Sequence, residues 1–157
     1  MPSPCPQKGE KHCTVSVYIV SQELPRRVLL VHHKKFDMWV PPGGHKEAHE
    51  NFYETAIREV KEEVGIDITP YLLAPQMLDE HASMLPTPAF ILEEKIAAHA
   101  DQPEHFHLDV TYFAKIPLQQ AVHGDESHAI GWFTLEEARS LPMFENGRTL
   151  IVSIFKE

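Results

Sequence analysis

The chain has 157 residues, 43% hydrophobic and 24% charged, enough apolar material for one sizeable core and about one domain at roughly 100–200 residues each. Its 14 basic and 23 acidic residues leave a net charge of −9, which excludes a simple electrostatic grip on duplex DNA or an anionic membrane; a divalent cation would still let it hold a phosphorylated substrate. No apolar run nears the roughly 20 residues of a membrane span. The start, Met1-Pro2-Ser3-Pro4-Cys5-Pro6, lacks the basic flank and apolar stretch of a secretory signal, and Cys5 and Cys13 form neither a CxxC pair nor a disulfide framework, so a reducing cytoplasm is expected.

Residues 1–10, with three prolines, read as a flexible arm, and 11–157 as a single domain without repeats. The β-branched and aromatic run 14–20 predicts a strand, a turn containing Pro25 follows, and 28–32 predicts a second strand paired with the first as a hairpin. A short strand at 36–39 leads to the breaker Pro41-Pro42-Gly43-Gly44. The clearest helix follows: Asn51 is placed to cap it, Glu54 three residues on completes a capping box, and Gly65 stops it. Tyr53, Ala56, Ile57, Val60 and Val64 share its apolar face. Strands are expected near 73–78, 88–92, 106–114 and 129–134, a short helix at 135–139 and a last helix near 146–155. The fold class is α/β, with helices packed on a mixed sheet.

Glu59, Glu62 and Glu63, at spacing i, i+3, i+4, project from one strip of the central helix. Like charges so placed repel by about 0.2–0.5 kcal/mol per pair, and the helix C-terminus disfavours anions further. Arg58 is spaced to pair with Glu62 at i, i+4. A solvated acidic face would account for the trio alone, whereas gathered carboxylates are also what Mg²⁺ requires. Gly43 and Gly44, just before the helix, would let the backbone approach a phosphate closely and adopt positive φ; a plain tight turn is the alternative.

Gly44, five residues, Glu50, seven residues, then Arg58-Glu59-Val60-Lys61-Glu62-Glu63-Val64-Gly65-Ile66 resembles the Nudix box GX5EX7REUXEEXGU with every fixed position filled. Pro42-Gly43 and Glu47 fit the commoner lead-in; His49, where many members carry glycine, falls at a variable position. The resemblance implies an α/β/α sandwich. It also implies hydrolysis of a diphosphate bond in a nucleoside diphosphate linked to another moiety, be it a nucleotide, nucleotide sugar, ADP-ribose or polyphosphate. Glu59, Glu62 and Glu63 would hold Mg²⁺ or Mn²⁺, with Glu62 and Glu63 also candidates for catalysis. The cations would neutralise charge on the diphosphate and lower the pKa of a bound water. Arg58 would orient a carboxylate, and Glu50 is expected either to support the site or merely to start the helix. A catalytically silent nucleotide-binding module is the alternative function. An isopentenyl-diphosphate isomerase would need a reactive cysteine within the site, and both cysteines precede the box.

In several members of the family the general base is a loop glutamate well after the box; Glu126 is the candidate, with Asp125, Glu104, Glu62 and Glu63 as rivals. His105, His107 and Asp109 alternate and so share one strand face, as a zinc-like trio, a substrate-contacting face or simply a polar face. His45 is placed to reach a phosphate. The candidate substrate-binding residues are therefore Gly43, Gly44, His45, His105 and His107. Phe36, Trp39, Phe90 and Phe106 are the aromatics available for stacking a base. The family's signatures for NADH, ADP-ribose, dinucleoside polyphosphates and coenzyme A are absent. The expected partner is a small nucleoside diphosphate derivative, with no nucleic acid or membrane; a homodimer is common in the family.

Overall fold

β1 (Lys11–Ser21) organises the sheet, because both of its edges are used. The computed structural model describes residues 5–122, 124 and 127–156. β2 is Val28–His33, β3 Met38–Val40, β4 Gly43–His45 and α1 Phe52–Val64. After a 3-10 turn at Thr69–Tyr71 come β5 (Gln76–Met77), β6 (Ser83–Met84), β7 (Phe90–Ile96), β8 (His105–Ile116) and β9 (Ser127–Phe133). α2 (Leu135–Arg139) and α3 (Glu145–Ile154) end the chain.

β8 runs parallel to β1 from Lys11↔Phe106 to Ser21↔Ile116 and occupies one edge throughout. The other edge is shared by two antiparallel partners: β2 through Ile19↔Leu29 and Val20↔Val28, and β4 through Thr14↔His45, Val15↔Gly44 and Ser16↔Gly43. β3 and β9 extend β2, and β7 extends β8. The sheet therefore forks, and Pro41-Pro42 carry the chain from one branch to the other; the Pro42 carbonyl accepts from Val17 N–H at 2.9 Å. Strand alternation sends Val15, Val17 and Ile19 to the α1 side, with Ala56, Val60, Val64 and Tyr112. Tyr18 and Val20 go to the α3 side, with Leu30, Ala138, Ile151 and Ile154. Each buried aliphatic side chain contributes about 1.5–3 kcal/mol relative to exposure. The result is a mixed sheet between helices, as the resemblance implies.

The β1–β2 hairpin and the capping box are present: Asn51 Oδ1 accepts from Glu54 N–H at 2.8 Å, Glu54 Oε2 from Asn51 N–H at 2.9 Å, and Gly65 takes φ 72°. Four expectations are corrected. Gly43 and Gly44 are in a strand and neither has positive φ. Phe36 lies in the turn and the strand begins at Met38. Within 73–78 only Gln76–Met77 is extended, because its sole partner is the short, exposed β6, whose own strand was not anticipated. On α1, Ile57 packs half-buried against the core as expected and Tyr53 is only half-buried, whereas Thr55, not expected inside, is fully buried with its hydroxyl 2.9 Å from Glu50 Oε2. Among the described residues no helix is long and apolar enough to cross a membrane.

Candidate active site

Arg58 is the hub of the acidic strip. Its Nε donates to Glu50 Oε1 and its Nη2 to Glu50 Oε2 at 3.0 Å, while Nη1 reaches Glu59 Oε1 at 2.9 Å and Glu62 Oε2 at 3.2 Å. Nη2 also donates to the His45 carbonyl at 3.0 Å, which ties α1 to β4. The repulsion expected among the glutamates is thus offset by one guanidinium, and the expected Arg58–Glu62 pair is one of its several contacts. Glu50 further accepts from Glu47 N–H at 3.1 Å and contacts the Thr55 hydroxyl. Hydrogen bonding to Arg58, then to these two groups, holds its carboxyl down at about 2. A helix-start carboxylate would not be held this way, so Glu50 fixes the arginine that in turn fixes Glu59 and Glu62.

The glycines serve this arrangement by close approach. A Cβ on Gly44 would lie 2.4 Å from the Glu59 carboxylate, and one on Gly43 would lie 2.1 Å from the Val15 carbonyl oxygen. What packs against Gly44 is the carboxylate of the protein itself. Glu63 lines a small depression with Val31, His33, Gly124 and Ser127. Gly124 N–H donates to the Glu63 carbonyl and Val122 N–H to the Val64 carbonyl, both at 3.0 Å, closing the C-terminal end of α1. The Ser127 hydroxyl in the same depression is buried with no partner among the described residues.

Glu59 against Gly44, exposed Glu62, and Glu63 at the depression that Ser127 also lines carry the kind of oxygen donor that a hard divalent cation takes. Among the described residues no three His, Cys, Asp or Glu side chains converge on one point as ligands, since Arg58 lies between Glu59 and Glu62. Glu126 and Asp125 lie outside the described residues. Glu104 pairs with Lys95 at 3.3 Å.

The histidines gather on the other face of β4. His12, His45, His107 and His105 form a ring of four imidazoles, with centroid separations of 5.5 Å for His12–His45, 5.1 Å for His45–His107, 5.3 Å for His105–His107 and 5.7 Å for His12–His105. His12 joined the group unforeseen; its in-register pairing with His107 was the missing signal. Burial, followed by the neighbouring imidazoles, pushes the His107 pKa down to about 3 and lowers that of His45. Both are neutral at pH 7. The trio with Asp109 is corrected. Asp109 is 3% exposed and accepts from Thr14 at 2.7 Å, Ser16 at 3.1 Å and Thr111 at 2.7 Å, so its oxygens are already committed. The candidate stacking aromatics are engaged too: Trp39 stacks on His32, Phe36 contacts His33 and Phe144, Phe90 packs against the α3-side core and Phe106 lies under Lys11.

The NUDIX domain model matches residues 10–152. An "m7GpppN-mRNA hydrolase NUDT17" of Xenopus laevis is 39% identical over 57 residues, which is 33% of this chain and 19% of that protein, so the chain spans only a small part of that relative's length. An uncharacterized Nudix hydrolase of Bacillus subtilis, YvcI, is 26% identical over 117 residues, 74% of this chain and 64% of that one. The crystal structure of a NUDIX-family hydrolase from Clostridium perfringens superposes with a TM-score of 0.72 at 27% identity, covering 92% of this chain and 96% of the other. With the family match spanning almost the whole chain, on a sandwich in which the box runs from Gly44 in β4 through α1 to Ile66, this protein belongs to the Nudix hydrolase family.

Proposed function

We propose that the protein hydrolyses a diphosphate bond in a nucleoside diphosphate linked to a further moiety, with Glu59, Glu62 and Glu63 as the cation-holding groups. The observation that carries this reading is the single arginine binding Glu50, Glu59, Glu62 and the β4 backbone, which holds the Glu59 carboxylate close against Gly44. Mg²⁺, or Mn²⁺ in its place, supplies positive charge to the diphosphate oxygens and acidifies a water when bound there.

Arg58 and Glu50 do the positioning: Glu50 stays ionised far below neutrality, so the arginine is anchored at every working pH. Glu62, exposed and bound to Arg58, and Glu63 are the groups proposed both to hold a cation and to accept a proton, and Glu126 remains the proposed loop base. Gly43, Gly44 and His45 form the lip over which a phosphate chain would pass, with His45, His105 and His107 as hydrogen-bonding groups beyond it. Two unpaired cysteines suit a reducing cytoplasm.

A screen of nucleoside triphosphates, ADP-ribose, nucleotide sugars, dinucleoside polyphosphates and a capped RNA, with Mg²⁺ and with EDTA, tests the reading. The cap is included because a relative acts on that linkage. We expect metal-dependent release of a phosphorylated product from at least one class. Binding without turnover across the whole panel would favour the silent module instead.

A further inference from the structure

The α3-side face of β1, β8 and β7 carries a carboxyl that neither the box nor the proposed hydrolysis uses. Glu94 is half-buried on β7 and has no hydrogen-bond or ion-pair partner among the described residues. It is the register partner of His107 on β8, so the two side chains emerge side by side on one face. His107 Nε2 is buried and also lacks a partner among the described residues. Asp109, next along the same face, cannot serve either of them, since Thr14, Ser16 and Thr111 occupy its oxygens. A buried ring nitrogen such as His107 Nε2 is costly unless something supplies its hydrogen bond, and Glu94 beside it is a half-buried carboxyl with no protein partner among the described residues.

The strand order sets where that something would lie. β4, β1, β8 and β7 are consecutive neighbours, so Glu94 is three strand spacings, about 14 Å, from the β4 lip. Contacts are continuous across this span. The His45 carbonyl binds Arg58 on the carboxylate side, the His45 ring touches His107, and Glu94 follows in register. An extended nucleotide with its phosphates at the carboxylates would bring its base to Glu94.

We propose that Glu94, with His107, is the specificity-determining pair for the group attached to the diphosphate, and that it selects a heterocycle with a 2-amino-4-oxo edge, as in guanine or a pterin. With its proton on Nε2, His107 is a donor beside the two acceptor oxygens of Glu94. Donor, acceptor, acceptor in a row is the complement of carbonyl, ring N–H and exocyclic NH₂. Adenine and cytosine place an acceptor where a carboxylate needs a donor, and uracil ends on a second carbonyl. Burial and the Asp109 charge raise the Glu94 pKa to about 7, and two N–H donors from a ligand would restore its ionised form.

This inference rests on the carboxylates being the diphosphate end, so its test reads binding separately from turnover. Calorimetry with α,β-methylene analogues of GDP and ADP in Mg²⁺ should show at least about tenfold tighter binding of the guanine analogue. Glu94→Gln puts an amide donor against the ligand's donors and should reduce the ratio to within about twofold, largely by loss of guanine affinity. His107→Gln is a second, independent variant with the same expectation, and thermal melts confirm that both are folded. Competition by neopterin that depends on Glu94 would mark the pterin edge as a ligand too, and the tighter of the two identifies the source. Equal binding of both nucleotides by the wild type, no binding of either, or a preference that survives Glu94→Gln overturns the proposal. Guanine preference without hydrolysis of any substrate leaves it standing while the hydrolase reading falls; hydrolysis without base preference does the reverse.

Discussion

The two faces of β4 are built on different principles. On the α1 side, one helix supplies Arg58, Glu59, Glu62 and Glu63, the loop preceding it supplies Glu50, and β4 supplies Gly44, so the parts lie within about two dozen residues of each other. On the opposite side, His12, His45, Glu94, His105 and His107 come from four strands spread over most of the chain. The first site is charged, paired and held by a guanidinium. The second holds His45 and His107 below their ordinary pKa and leaves Glu94 and His107 Nε2 without protein partners among the described residues. A site made from one helix keeps its geometry wherever the helix folds, whereas a site made from sheet register can change its chemistry through any one strand.

The largest expected effect breaks the first face. Glu63→Gln should lower turnover by at least about 10²-fold while leaving the melting temperature within a few degrees, because a ligand group is lost and no packing group is. Full Mg²⁺-dependent activity in this variant would remove Glu63 from the site. Next, Arg58→Ala removes the guanidinium shared by Glu50, Glu59 and Glu62 and should cost about 2–3 kcal/mol by denaturant titration. The loss should itself depend on pH. Glu50 is depressed from 4.5 to about 2 by Arg58, so its contribution is fully present above 4.5 and fades as pH falls toward 2. A wild-type advantage over Arg58→Ala that stays constant from pH 6 to pH 2 would deny Arg58 that role.

The two glycines sharpen the contrast. Gly43→Ala drives a methyl into the Val15 backbone, which cannot yield, and should destabilise by about 1–3 kcal/mol. Gly44→Ala meets only the movable end of Glu59, so it should cost activity more than stability. Equal loss of stability in both variants would mean Glu59 is held as rigidly as backbone.

The smallest effect belongs to the second face. Glu94 is raised from 4.5 to about 7, so its protonated form stabilises the fold below 4.5 and that contribution is lost as pH rises through 7. His107 is lowered from 6.5 to about 3, so its neutral form contributes above 6.5 and loses that contribution as pH falls toward 3. The two trends oppose each other between 4.5 and 6.5. Glu94→Gln should therefore gain melting temperature relative to wild type as pH goes from 5 to 8; parallel curves would show that the carboxyl pays no desolvation cost.

Legibility divided along the same line. The capping box, the Gly65 stop, the β1–β2 hairpin and α2 were all readable, because each depends on contacts a few residues apart. The anchoring of Arg58 by Glu50 was not derivable from spacing: the eight-residue separation crosses the helix start and needs the loop to fold back. Gly43 and Gly44 looked like a turn because a short Pro-Gly run carries no strand periodicity, and only the free edge of β1 made them β4. Asp109 looked like a ligand until Thr14 and Ser16, 95 and 93 residues away, proved to occupy it.

By itself the sequence determined the helix with its strip of carboxylates and, through the filled box, the family, since spacing along one helix is fixed by 3.6 residues per turn. Only the tertiary structure decided that Arg58 gathers those carboxylates, that Gly44 makes room for Glu59, and that Glu94 stands beside His107 with no partner among the described residues. Those relations depend on which strands neighbour one another and in what register, and hydrogen bonds between distant segments fix that order, which no local pattern encodes.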